Sequence, residues 1–78
     1  MLDERLCDIV RDVLDDEALP LDEQTVAGDV EGWDSLAHIN IMVAVESAYG
    51  ITFTSDQLGQ FRNLGELQDF LRERTART

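Results

Sequence analysis

The chain contains no lysine and only one cysteine, one proline and one histidine. A single thiol, Cys7, rules out an internal disulfide and any multi-cysteine metal site. Cys7 sits beside the apolar stripe of the first predicted helix, so it is expected to be a half-buried packing residue. No run is long and apolar enough to serve as a membrane span or a signal peptide, which makes the cytoplasm the expected location. Few breakers, with 44% hydrophobic and 29% charged residues, argue against disorder. The patterns of a Gly-rich phosphate loop and of HExxH are missing. The acidic stretch Asp15, Asp16, Glu17, Asp22 and Glu23 lacks the alternating ligands and glycine of a calcium loop, so no metal site is expected.

What the chain does have is acid. Seventeen acidic residues face six basic ones, all arginine, for a net charge of -11. Eleven of the acids lie in residues 1–31 with only two arginines, so the charge belongs mainly to the N-terminal part. Such a surface repels nucleic acid and anionic membranes, and neither is expected as a partner. It attracts proteins with basic docking patches, and that attraction weakens with salt. At 78 residues the chain is read as a single domain, 1–78. A domain of this size buries roughly 60–65% of its unfolded surface. That supports one modest core rather than a cleft between lobes, and weighs against a self-sufficient enzyme.

Leu2, Leu6, Ile9, Val10, Val13 and Leu14 recur at three- and four-residue spacing and predict a helix over residues 2–15, ended by the acidic run and Pro20. Residues 16–33 form a long connection with apolar anchors at Leu19, Leu21, Val26 and Val30 and an expected helical turn near Asp22–Val26. Gly32-Trp33-Asp34-Ser35 enters a second helix over 35–49. Asp34 or Ser35 can cap it, and Gly50 ends it. The alternation of Ile39, Ile41, Val43 and Val45 also fits a strand, but length, cap and terminal glycine favour helix. Thr54 with Gln57, and Asn63 with Glu66, have capping-box spacing. They predict a short helix over 55–60 and a last helix over 64–75, with Leu64, Leu67, Phe70 and Leu71 buried and Arg72, Arg74 and Arg77 toward its C-terminal end. The expected fold is all-α: a bundle of three main helices and one short helix, with a long first loop.

Asp34, Ser35 and His38 superficially resemble a nucleophile with helpers, since Ser35 and His38 share a helix side at i and i+3. The strand–turn–helix setting of a nucleophile elbow is missing, and Ala37 stands where that motif has glycine. No catalytic residue is assigned. A serine in the first turn of a helix lies where free amides and the dipole favour a negative group, so a phosphodiester on Ser35 is compatible with the local field. So is a plain helix cap.

Trp33-Asp34-Ser35-Leu36 resembles the Asp-Ser-Leu attachment motif of acyl carrier proteins. Ile39-Asn40-Ile41-Met42-Val43-Ala44-Val45-Glu46 is similar to that family's second helix. Tyr49-Gly50-Ile51 with Phe53 resembles the helix exit, and Phe61-Arg62-Asn63-Leu64 the junction into the last helix. The similarity covers nearly the whole chain. It implies that a phosphopantetheinyl transferase, using coenzyme A and magnesium, attaches a phosphopantetheine arm to Ser35. The arm would carry acyl groups as thioesters, and the carrier, expected to be a monomer, would move them between an acyl-loading enzyme and synthase or transferase partners. By the same resemblance Asp34, Leu36, Ile39, Val43 and Glu46 are expected in partner recognition. Ile41, Met42, Val45, Phe53, Leu58 and Phe61 are expected in the core or around an acyl space. His38, one turn beyond Ser35, is a candidate contact to the arm.

Two departures bear on the pathway. Family members of fatty acid synthesis carry several acids along the second helix, whereas here Glu46 is the one acid after Asp34. Phe53, Leu58 and Phe61 are bulky and would shrink a chain pocket. Both favour a discrete carrier of polyketide or other specialised metabolism over one for housekeeping fatty acid synthesis. A peptidyl or aminoacyl carrier shares arm and fold, but Trp33 stands where its motif has a second glycine. A small acidic adaptor without any arm is a reading from a different class.

Overall fold

Asp3, not Leu2, opens the first helix. In the computed structural model, which describes residues 2–75, the Asp3 side chain accepts the Arg5 amide and α1 runs Glu4–Leu14. The helix ends at Asp15, well before Pro20. Asp15 adopts a left-handed conformation (φ 55°), and the Asp15 and Asp16 amides turn back to the Asp12 and Arg11 carbonyls. A left-handed aspartate is one of the few non-glycine ways to close a helix, because its short side chain tolerates that region. Leu6 and Val10 are fully buried, and Cys7 is buried rather than half-buried.

The connection from 16 to 34 is pinned in several places. Arg11 Nε donates to the Leu19 carbonyl at 2.9 Å. Leu19 and Leu21 pack against the core, but Val26 is exposed and anchors nothing. The expected helical turn at Asp22–Val26 is a single turn: the Thr25 amide donates to the Asp22 carbonyl at 3.1 Å, the Asp22 amide to Thr25 Oγ1 and the Gln24 amide to Asp22 Oδ1. Asp22 satisfies local amides itself, which competes with helix. A 3₁₀ turn follows instead at Ala27–Asp29.

α2 spans Ser35–Tyr49 and closes on Gly50 at φ 68°. Its residues settle the helix–strand ambiguity. Ile41 and Val45 are fully buried, while Ile39 and Val43 face solvent. Positions two apart on a helix lie about 200° apart around the axis, so a helix apolar on two opposite faces produces the alternation of a strand. α1 packs against α2.

The predicted short helix is a three-residue 3₁₀ turn, Gln57–Gly59. Its capping box forms: Thr54 and Gln57 exchange amide–side-chain hydrogen bonds at 2.9 and 3.3 Å. Gly59 and the cost of a helical nucleus stop it from growing. α3 runs Leu64–Thr75. Asn63 Oδ1 accepts the Glu66 amide, while Glu66 reaches back to the Arg62 amide rather than to Asn63. Leu64, Leu67 and Leu71 are buried, and Arg72 and Arg74 occupy the last turn; Arg77 lies outside the described residues. Phe70 is half-buried and joins Phe53 and Phe61 in a three-ring cluster with centroids 5.3–6.0 Å apart.

Two ties close the bundle. At one end the Asp3 amide donates to the buried Gln68 side chain, and the Tyr49 hydroxyl donates to Asp3 Oδ2 at 2.8 Å. Burial, and then the Asp3 carboxylate, push the Tyr49 hydroxyl up to about 12, so this donor persists at neutral pH. At the other end the first amides of α3 donate to the long loop, Leu64 to the Thr25 carbonyl and Gly65 to that of Glu23. A Cβ on Gly65 would lie 2.9 Å from the Glu23 carbonyl oxygen. Gly65→Ala is therefore expected to push the loop off α3 and to destabilise the domain by about 1–3 kcal/mol, measurable by chemical denaturation. An unchanged midpoint would show that the loop yields freely.

Candidate functional site

The site lies where the long loop enters α2. Gly32, at φ 88°, makes the turn in which the Trp33 amide donates to the Val30 carbonyl. A positive φ of this kind suits glycine, which has no Cβ to clash. The turn leaves Asp34 extended (φ -93°, ψ -172°) with its Oδ1 accepting the Ala37 amide at 2.8 Å. Asp34 is thus the helix cap. Ser35 is the first helical residue and is exposed.

This division bears on the two readings of Ser35. The plain-cap role belongs to its neighbour, and the Ser35 hydroxyl stands at the surface in the first turn, where helix amides have no intrahelical acceptors. An open groove of about 580 Å³ runs beside it, lined by Ala27, Trp33, Asp34, Ser35, His38, Ile39, Leu58 and Gly59. An exposed hydroxyl, a helix N-terminus suited to a phosphodiester and a largely apolar groove for the chain beyond it fit a phosphopantetheine arm.

The other expected site residues divide into three groups. Leu36, Ile39 and Val43 are 67%, 52% and 57% exposed and form a continuous apolar strip leading away from Ser35. Glu46 is half-buried, and its Oε2 accepts the Phe53 amide at 2.7 Å. That bond fastens the segment after α2 back onto the helix. Ile41, Met42 and Val45 are buried, as is Phe53. A narrow, partly open crevice of about 30 Å³ is bordered by Met42 and Phe61 among others, while Leu58 lines the outer groove instead. Ile41, Val45 and Phe53 line neither space.

His38 lines the groove beside Ser35, and its ring is hydrogen-bonded within the protein. Its Nδ1 accepts Trp33 Nε1–H at 3.2 Å, which leaves the ring proton on Nε2, 2.6 Å from the Leu58 carbonyl. Both nitrogens are engaged within the protein, so a phosphate would have to displace a partner to reach either. Sequence reasoning treated Trp33 only as context for the motif. The signal available was a single tryptophan five residues from a single histidine. Ala27 and Gly59 carried no signal, because their place in the groove depends on two loops meeting. Among the described residues no group of His, Cys, Asp and Glu is arranged to hold a metal ion, and no helix is long and apolar enough to cross a membrane.

Comparison with known proteins agrees with this geometry. Residues 4–71 match the family model described as a phosphopantetheine attachment site. The chain belongs to that family, a group of carrier domains that are not themselves enzymes and bear a covalently attached phosphopantetheine. Within it, the chain is of the acyl carrier type. It is similar to the holo acyl carrier protein from Geobacter metallireducens, solved in solution, at 38% identity and a TM-score of 0.85, covering 95% of this chain and 85% of the other. No curated protein matches the chain significantly.

Proposed function

We propose that Ser35 is the attachment residue and that the chain carries acyl groups, as thioesters on the arm, between partner enzymes of a polyketide or other specialised pathway. The observation that carries the first part is the division of labour at the start of α2: Asp34 caps the helix and the exposed Ser35 hydroxyl is left for modification. A phosphopantetheinyl transferase supplies the arm from coenzyme A.

Thiol counting under native conditions tests it. Cys7 is buried, and desolvation pushes its thiol pKa up, opposed only in part by Arg11. A buried, protonated thiol is a poor nucleophile. The apo protein is expected to show no fast-reacting thiol, and the protein treated with transferase, coenzyme A and magnesium to show one. A fast thiol before treatment, or none after it, counts against the reading.

The pathway reading rests on α2. Leu36, Ile39 and Val43 present hydrocarbon, Asp34 is engaged as the cap and Glu46 is engaged with Phe53. Docking through this face is then driven by apolar burial, not by acid meeting a basic patch. Binding to the cognate synthase is expected to change less than threefold between low and physiological salt and to weaken at least tenfold in Val43→Ala. A steep loss with salt, unaffected by Val43→Ala, favours a carrier for fatty acid synthesis.

A further inference from the structure

We infer that Trp33 and His38 act together as a wall that keeps the acyl cargo of this carrier out of the helical core and leaves it in the surface groove. The inference rests on the reading of Ser35 as the attachment residue. It starts from the two empty spaces. The outer groove beside Ser35 measures about 580 Å³ and the inner crevice about 30 Å³. They share three lining residues, Ala27, Trp33 and His38. A chain passing directly from the groove beside Ser35 toward Met42 and Leu67 meets this wall first.

The wall is held shut by two consecutive hydrogen bonds. Trp33 Nε1–H donates to His38 Nδ1, and His38 Nε2–H donates to the Leu58 carbonyl. The two rings lie 6.2 Å apart between centroids at a 32° tilt. The bonds join three segments: the end of the long loop, α2 and, twenty residues beyond His38, the 3₁₀ turn. Swinging His38 aside leaves the half-buried Trp33 N–H and the Leu58 carbonyl without these partners, so opening is opposed at both ends.

With the wall shut, the crevice behind it holds two or three waters at most, since a water needs about 10–15 Å³ of comparable space; an alkyl chain enters only where the wall opens and the side chains behind it give way. The cluster of Phe53, Phe61 and Phe70 occupies neighbouring core volume, with the Arg74 guanidinium 4.8 Å from the Phe70 ring centre. The groove, by contrast, offers Trp33, Ile39 and Leu58 as apolar contacts within reach of an arm on Ser35. A short acyl group lies against these side chains; a long one has its distal end in water or on a partner enzyme.

The experiment compares butyryl and octanoyl arms on the full chain by NMR, after intact mass has shown that each arm is attached to Ser35. In the wild type, both cargoes are expected to shift Ile39, Leu58 and Gly59 and to leave Met42 and Leu67 unmoved, with the Trp33 indole N–H resonance unchanged. In His38→Ala, octanoyl alone is expected to shift Met42 and Leu67. Trp33→Phe, which keeps a ring but removes the donor, is expected to behave in the same way and guards against misfolding of the first variant. Octanoyl shifts at Met42 and Leu67 in the wild type overturn the wall. So do folded variants that admit no more of the chain than the wild type does. Failure of any arm to attach at Ser35 is a separate result and overturns the attachment reading together with the inference built on it.

Discussion

Replacing Ser35 by alanine is expected to abolish attachment of the arm completely while leaving the domain as stable as before, within about 0.5 kcal/mol. The two halves of this result come from one feature of the structure. Ser35 is exposed and begins α2, but the cap is Asp34, whose Oδ1 takes the Ala37 amide. Alanine at the first helical position keeps the backbone and helix propensity intact. The only loss is the nucleophilic oxygen. Asp34→Ala is expected to show the opposite balance: a stability loss of about 1 kcal/mol, typical of a removed cap, and modification that is slowed but not eliminated. Denaturation midpoints and intact mass for the two variants check this. Equal destabilisation by both substitutions would mean that Ser35 shares the capping role, and the argument for a hydroxyl set aside for chemistry would lose its basis.

Truncating Ile41 is expected to have the largest effect on the fold. Ile41→Ala removes a fully buried side chain from the face of α2 that packs with Leu6, Val10 and Leu71 in the core. Such deletions cost about 2–5 kcal/mol. A domain this small has a total stability near the lower end of about 5–15 kcal/mol, so a substantial unfolded fraction is expected at 37 °C. Val43, two positions later, is the internal control. It is 57% exposed on the opposite face, and Val43→Ala is expected to shift stability by no more than about 0.5 kcal/mol. The same control is expected to weaken partner binding, so the pair separates the face of α2 that holds the fold from the face offered to partners. Similar unfolding midpoints for the two variants would contradict the assignment of faces.

The contrast between these two residues also shows how far the sequence could be read. Both are β-branched, both lie in an alternating run, and residue type alone does not say which points inward. Periodicity identifies the helix and its apolar character. Burial of one face was settled by the rest of the bundle. The caps behaved similarly. Asn63 and Thr54 were legible because each has a partner at fixed spacing in its own segment. Asp34 and Ser35 were not separable, since either side chain can cap and only the extended backbone at Asp34 decides. The end of α1 was legible to within one residue from the acidic run, but the left-handed conformation of Asp15 that closes it carries no sequence signal comparable to glycine.

The least legible part was the network around His38. Its acceptor, the Leu58 carbonyl, comes from a segment twenty residues away, and the Glu46–Phe53 contact likewise spans a helix exit. Residue chemistry singled out His38 as a candidate arm contact and Glu46 for partner recognition; the hydrogen bonds that each makes to the segment after α2, which help to shape the groove beside Ser35, had no signal in the sequence. The apolar strip Leu36, Ile39 and Val43 is a different case: its exposure is a direct consequence of a helix apolar on two faces, of which one packs in the core.

The central claim is that one hydroxyl, Ser35, bears the arm. It is tested most directly by incubating the full chain with coenzyme A, magnesium and a broad-specificity phosphopantetheinyl transferase, then locating any added mass by peptide fragmentation. The account predicts a gain of one phosphopantetheine, carried on Ser35 and missing from Ser35→Ala. No gain in the folded wild type, or a gain located on any other residue, would contradict it.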